Sequence, residues 1–151
     1  YKNAAKTEYW DEVIVAVDGL VGEGGRGTDT LGNADITAVY FEETGYAGGA
    51  TGSVVVIYNE QVDVTNGATL VVRNTTDSAN ITATAAAQTA TNRVEFTFTA
   101  AATGKAHAIQ AQTISGTIVD TGTSTASDKI FAAGDVEGAG GSGSTKTFTA
   151  S

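Results

Sequence analysis

Over residues 35–72 the chain reads DITAVYFEETGYAGGATGSVVVIYNEQVDVTNGATLVV: apolar and polar residues alternate, break at glycine-rich turns and alternate again. Ile36, Ala38 and Tyr40 share one parity; Val54, Val56 and Tyr58 share another, followed by Val62 and Val64. Successive side chains of an extended chain point to opposite faces. A period of two therefore predicts strands with one face in a core and one in water. The 3.6-residue period of an amphipathic helix is not found in any segment.

The same reading extends along the chain. Strands are predicted over residues 12–17 (EVIVAV), 35–41, 53–59, 61–64, 69–73, 78–85, 93–99, 105–112, 117–119 and 129–132, with a small alternating segment at 145–149. In the strand over 69–73, Leu70 and Val72 point inward; over 93–99, Val94, Phe96 and Phe98 oppose Arg93, Glu95 and Thr97. Asn66-Gly67 marks a turn because both residues tolerate positive φ. Residues 83–90 are rich in alanine, but their threonines and their place between strands favour an extended or looped state. Short strands at regular spacing indicate an all-β sandwich with Greek-key connections. The organisation expected is an N-terminal arm, strand and glycine-rich loop over 1–33, a sandwich over 34–133, and a Gly/Ser-rich tail over 134–151.

Composition narrows the function classes. Of 151 residues, 41% are hydrophobic, and seventeen acidic residues face eight basic ones for a net charge of −9. That balance opposes nucleic acid and anionic membrane as partners, since both are polyanions. It suits a crowded particle or cell surface kept soluble by repulsion. The chain has no cysteine, so neither a disulfide framework nor a thiolate metal site is expected, and no proline, so turns fall to Gly, Asn and Asp. No apolar run has the length of a membrane span. The opening YKNAAKTEYWDE lacks the pattern of a signal peptide, and a leader removed ahead of Tyr1 is the expectation for an exported chain.

No catalytic constellation emerges. His107 is the only histidine and is expected at the surface or an edge of its strand. Glu42 and Glu43 are adjacent, and neighbours on a strand face opposite ways, so they form no acid/base pair. GEGGRGT at residues 22–28 lacks the Lys-Ser/Thr that a phosphate loop requires. No cofactor is expected, and a calcium site at Asp120 and Asp128 is disfavoured because no spaced acidic ladder accompanies them. Asn74-Thr75-Thr76 and Asn80-Ile81-Thr82 are glycosylation sequons. The candidate partner contacts are Tyr9, Trp10, Arg26 and Phe148, which lie in the arms and the long loop.

The order of elements over residues 34–132 resembles a bacterial immunoglobulin-like domain of the type repeated in large adhesins and surface-layer-associated proteins. The corresponding pieces are ITAVYFEETGYAGGATGSVVVIYNEQVDVTNGATLVV, NRVEFTFTA and SGTIVDTG, with Glu60 at the family's acidic position and Asp120 in the turn after the TIV strand. Two departures are the missing proline of the third element and a turn reading DTGTSTASD. The resemblance implies an immunoglobulin-like Greek-key β-sandwich with extended N- and C-terminal arms. Single domains of this kind with arms are similar to decoration and structural proteins of tailed bacteriophages. The implied role is a non-enzymatic structural protein at the virion surface, with major capsid or other virion subunits as partners and a homo-oligomer as an option. The alternative is an exported bacterial or archaeal cell-surface or filament domain.

Overall fold

The structure, a computed structural model, describes residues 33–137 and 147–151. The strand expected over 12–17 and the glycine-rich loop after it lie outside the described residues. The rest is antiparallel β-structure: β1 (Ile36–Phe41), β2 (Thr51–Val64), β3 (Ala68–Asn74), β4 (Ala79–Ala85), β5 (Gln88–Thr99), β6 (Ala106–Ile109), β7 (Gln112–Thr113), β8 (Ile118–Asp120), β9 (Ile130–Phe131) and β10 (Thr147–Thr149). One 3-10 turn covers Ala133–Asp135, and there is no α-helix among the described residues.

One sheet runs β1-β2-β5-β4-β3-β6-β10, with β8 added to β2; β7 and β9 form a separate pair. The large sheet curls. β1 and β10 stand at opposite ends of the strand order, yet the rings of Phe41 and Phe148 meet edge to face at 4.8 Å. The Ser151 N–H donates to the Tyr46 carbonyl at 3.1 Å, and the Gly48 N–H donates to the Ser151 carbonyl at 2.9 Å. These bonds tie the last residues to the β1–β2 loop.

Alternation builds the core where it was expected. Val94, Phe96 and Phe98 are buried on β5, as are Leu70 and Val72 on β3. Val55 is buried as well, on the opposite face from Val54 and Val56. Its register partners Tyr40 and Glu95 flank it on both sides, and directly paired side chains share a face and cover one another. Residues 83–90 are not helical: Ala83–Ala85 end β4, Ala86 and Ala87 connect, and Gln88–Ala90 begin β5, with Ala90 at φ +50°.

Two sequence expectations change. On β1 the buried residues are Val39 and Phe41, whereas Ile36, Ala38 and Tyr40 are only half-buried. The pairing with β2 slips between Ile36 and Ala38, and a bulge of one residue exchanges the faces beyond it. The strands expected over 53–59 and 61–64 are one fourteen-residue β2. Its register against β5 shifts between Ile57↔Arg93 and Val62↔Thr91, where Glu60 and Gln61 interrupt the apolar pattern. Beyond the shift β2 gains β8 as a second neighbour, with Val62 opposite Asp120.

The Asn66-Gly67 turn forms with Gly67 at φ +92°. It joins β2 to β3, two strands that do not pair, and the Gly67 N–H donates across to the Ala85 carbonyl at 3.0 Å. The turn is therefore a corner that carries the chain from one part of the sheet to another.

Candidate functional site

Two kinds of cluster organise the polar and aromatic side chains. The first is an aromatic box under the final strand. Phe41 from β1, Phe98 from β5, Phe148 from β10 and Tyr46 from the β1–β2 loop pack with centroids between 4.8 and 6.4 Å apart. Gly52 leaves room for it, because a Cβ there would lie 2.6 Å from Phe98 Cζ. Tyr46 keeps its hydroxyl satisfied at the edge. The hydroxyl donates to the Ser53 carbonyl at 3.0 Å and accepts the N–H groups of Glu43 and Ser53.

His107 completes this box. Its side chain is fully buried, on a strand paired with β3 on one side and β10 on the other. The expected surface or edge position is therefore wrong. The reason is the pairing of β10 with β6: Phe148 stands directly opposite His107, paired side chains share a face, and its ring covers the imidazole. The Ala101 N–H donates to Nε2 at 2.9 Å, which replaces the water a surface histidine would bind. Burial lowers the His107 pKa, against a weaker opposing pull from the Lys105 carbonyl.

The second kind of cluster uses polar side chains to stand in for missing backbone partners. Gln112 is the clearest case. Its Oε1 accepts the Val71 N–H at 2.6 Å while its Nε2 donates to the Val71 carbonyl at 2.7 Å. β3 pairs with β6 up to Val72 and meets Ser115 at Thr69, so the carboxamide fills the gap between them. Gln88 does the same for Glu95, accepting its N–H and donating to its carbonyl, both at 3.1 Å. Each amide borders an open groove of about 290 Å³. One is lined by Thr84, Ala86, Gln88, Glu95 and Thr97, and the other includes Val71, Arg73, Asn80 and Gln112. Neither glutamine was singled out from the sequence, because a polar residue at a strand end carries no periodic signal.

Asp120 is another such post. It is 6% exposed, and its Oδ1 accepts the Ala34 N–H at 2.9 Å and the Ser127 hydroxyl at 2.8 Å. Asp128 accepts the Ile130 N–H with its carboxylate and the Tyr58 hydroxyl with its carbonyl. Burial, and secondarily the Asp128 charge, push the Tyr58 phenol well above its ordinary pKa. Both aspartates named for calcium thus hold backbone and hydroxyl donors. No group of three or more His, Cys, Asp or Glu side chains that could hold a metal occurs among the described residues.

The candidate partner contacts divide. Tyr9, Trp10 and Arg26 lie outside the described residues. Phe148 is placed in the box at 5% exposure, so in this arrangement it faces the protein's own core instead of a partner. The alternation Thr147-Phe148-Thr149 is real, but its apolar side turns inward because β10 adds to β6. The tail read as an arm thus returns to the sheet at its end.

The sequons also divide. Asn74 is 3% exposed and builds the β3–β4 turn, accepting the N–H groups of Thr76 and Asp77 and donating to the Asp77 carboxylate. Asn80 is exposed, and its side-chain oxygen accepts from Arg73. Asp77 also takes Lys105 at 2.7 Å; that bond, followed by the one from Asn74, lowers its pKa. On the surface Arg93 pairs with Glu42, an exposed contact of small energetic weight.

No protein-family model, curated protein or solved structure matches the chain.

Proposed function

We propose that this chain is a non-enzymatic structural protein of a phage-like virion, an immunoglobulin-like β-sandwich that binds neighbouring subunits at the capsid or tail surface. The observation that carries the reading is the strand order. The seam between β4 and β5 holds a single registered pair, Thr84 with Thr97, so the curled sheet reads as two walls, β1-β2-β5 and β4-β3-β6-β10. The chain crosses between the walls at β2 to β3, at β4 to β5 and at β5 to β6. We read these crossings as the Greek-key connections of an immunoglobulin-like sandwich. A sandwich of this kind offers surface, and function then lives in what is grafted onto it.

The polar side chains support the same reading. Asp120, Gln112, Gln88 and Asn74 are spent on backbone groups, which suits a rigid display body. The charge of −9 favours docking on a basic or mixed surface over binding polyanions. Recognition is assigned to the segments beyond the body, where Tyr9, Trp10 and Arg26 supply aromatic and cationic anchors of the kind enriched in interfaces. An extended segment can add to a neighbour's sheet edge through main-chain hydrogen bonds.

The test is deletion of residues 1–11 in the particle-forming system. Incorporation into particles is lost while the remaining chain keeps its cooperative unfolding transition. Undiminished incorporation refutes the arm's role. Recovery of the native protein from cell envelopes carrying glycan at Asn80 refutes the virion reading in favour of the exported surface domain.

A further inference from the structure

The role proposed above makes no use of His107, the one histidine of the chain. Its Nε2 accepts the Ala101 N–H, and an acceptor nitrogen carries no proton. The ring is therefore the neutral tautomer with its proton on Nδ1; that Nδ1 is buried with no partner in hydrogen-bond geometry, and the backbone carbonyl that pulls weakly on the ring, that of Lys105, already accepts the Ala150 N–H. The imidazole lies flat on Phe148, with centroids 4.4 Å apart and planes 3° from parallel. Phe148 is the central residue of β10, which has only three residues and takes its ladder from Ala106, His107 and Ala108.

The polar surroundings give a charged ring no counter-ion. On its own strand and the preceding loop, Lys105 is engaged by Asp77. On β3, Asn74 stands opposite His107, and the neighbouring Arg73 is bonded to Asn80. The β1–β2 loop contributes Tyr46, whose hydroxyl is occupied by Glu43 and Ser53. β5 contributes Phe98, and β10 contributes Phe148 between two threonines. Among the described residues no carboxylate is bonded to the ring.

We propose that His107 is an acid-sensitive latch for residues 147–151. A second proton, taken up at Nε2, turns the acceptor of the Ala101 N–H into a donor facing a donor. It also places an uncompensated charge under Phe148. Stacking on the phenyl face returns part of that loss as cation–π attraction, but no hydrogen bond replaces the one broken. The element that lies on the ring yields. β10 and its last two residues leave their seat, while β6 stays paired with β3. The uncovered side of β6 then presents free N–H and C=O groups, a template for another extended segment.

The sign follows from burial. The folded pKa lies below the unfolded value of 6.5, so the latch is fully closed above pH 6.5 and opens as pH falls toward the lowered folded value.

The experiment pairs two measurements on the full chain between pH 7.5 and 4.5. An NMR titration follows the single imidazole, and amide exchange follows Ala150 and Ser151, whose N–H groups bond Lys105 and Tyr46. The imidazole is expected to titrate below pH 6.5. Protection factors at Ala150 and Ser151 are expected to fall at least tenfold over the same interval, while Val56 and Val94 keep theirs. The H107Q variant, whose side-chain oxygen retains an acceptor for Ala101, is expected to show flat protection at both sites. A ring that titrates at or above 6.5, or tail protection that stays flat in the unsubstituted protein, overturns the latch. So does an H107Q variant that loses protection like its parent. Should H107Q fail to fold, coincidence or separation of the two curves in the parent decides.

Discussion

Replacing Asp120 with alanine tests whether a buried carboxylate at the end of β8 holds the segment that leads into β1. Asp120 and Ala34 are 86 positions apart, and Ala34 is fully buried. The substitution removes two bonds to one oxygen, those from the Ala34 N–H and the Ser127 hydroxyl. Hydrogen bonds to a charged group contribute about 1.5–3 kcal/mol each, so the gross loss is about 3–6 kcal/mol. Part returns, because the Ser127 hydroxyl can rotate and the carboxylate no longer has to be desolvated. The Ala34 N–H is buried, and the peptide that follows it is held because the Ala34 carbonyl accepts the Asp128 N–H at 2.8 Å, so the backbone has little freedom to turn that N–H toward another acceptor. The net expectation is about 3 kcal/mol, with a Tm lowered by roughly 10 °C for a body of this size. D120N keeps an uncharged acceptor and is expected to lose about half as much. Urea unfolding measures both, and the m-value should not change, because the surface exposed on unfolding is the same. A D120A variant within about 1 kcal/mol of the parent at unchanged m refutes the reasoning: it would mean that water satisfies Ala34 without the carboxylate.

Gln112 offers a sharper isosteric test. Q112E replaces the Nε2 donor with an oxygen facing the Val71 and Gln110 carbonyls, so a loss of about 2 kcal/mol is expected at pH 7. Most of it should be recovered below about pH 4, where a protonated acid donates again; urea midpoints across pH follow this. G52A forces a Cβ to 2.6 Å from Phe98 and is expected to destabilise by about 1–3 kcal/mol. Near-ultraviolet circular dichroism should show the aromatic box disturbed.

How far the sequence carried depends on what each feature leaves in the pattern. Burial on β3 and over the second half of β5 is legible because alternation there is unbroken, and period two has only one way to face a core. β1 was misread by a bulge, which leaves composition untouched and reverses parity. β10 shows the remaining ambiguity in its smallest form. Thr147-Phe148-Thr149 states that one side chain differs from two, but three residues cannot say whether the apolar side meets the chain's own sheet or another molecule's. His107 is the same problem with a polar residue. Its neighbours Ala106 and Ala108 are as compatible with an exposed edge as with a closed seam, and only the arrival of Phe148 from 41 positions away makes the site interior. The partners that decide burial here, Ala34 for Asp120, Val71 for Gln112 and Phe148 for His107, are all distant in sequence. A chain whose polar residues are assigned by distant backbone leaves those assignments out of any local window. A similar signal can still be sought: an isolated Gln or Asp immediately beyond a short strand, in a protein without proline to end its edges, is a candidate cap for an unpaired peptide group. On that reasoning, removing such caps should loosen strand edges before it loosens the core, and amide exchange at Val71 in Q112A, compared with Val72 beside it, is where the difference should be seen first.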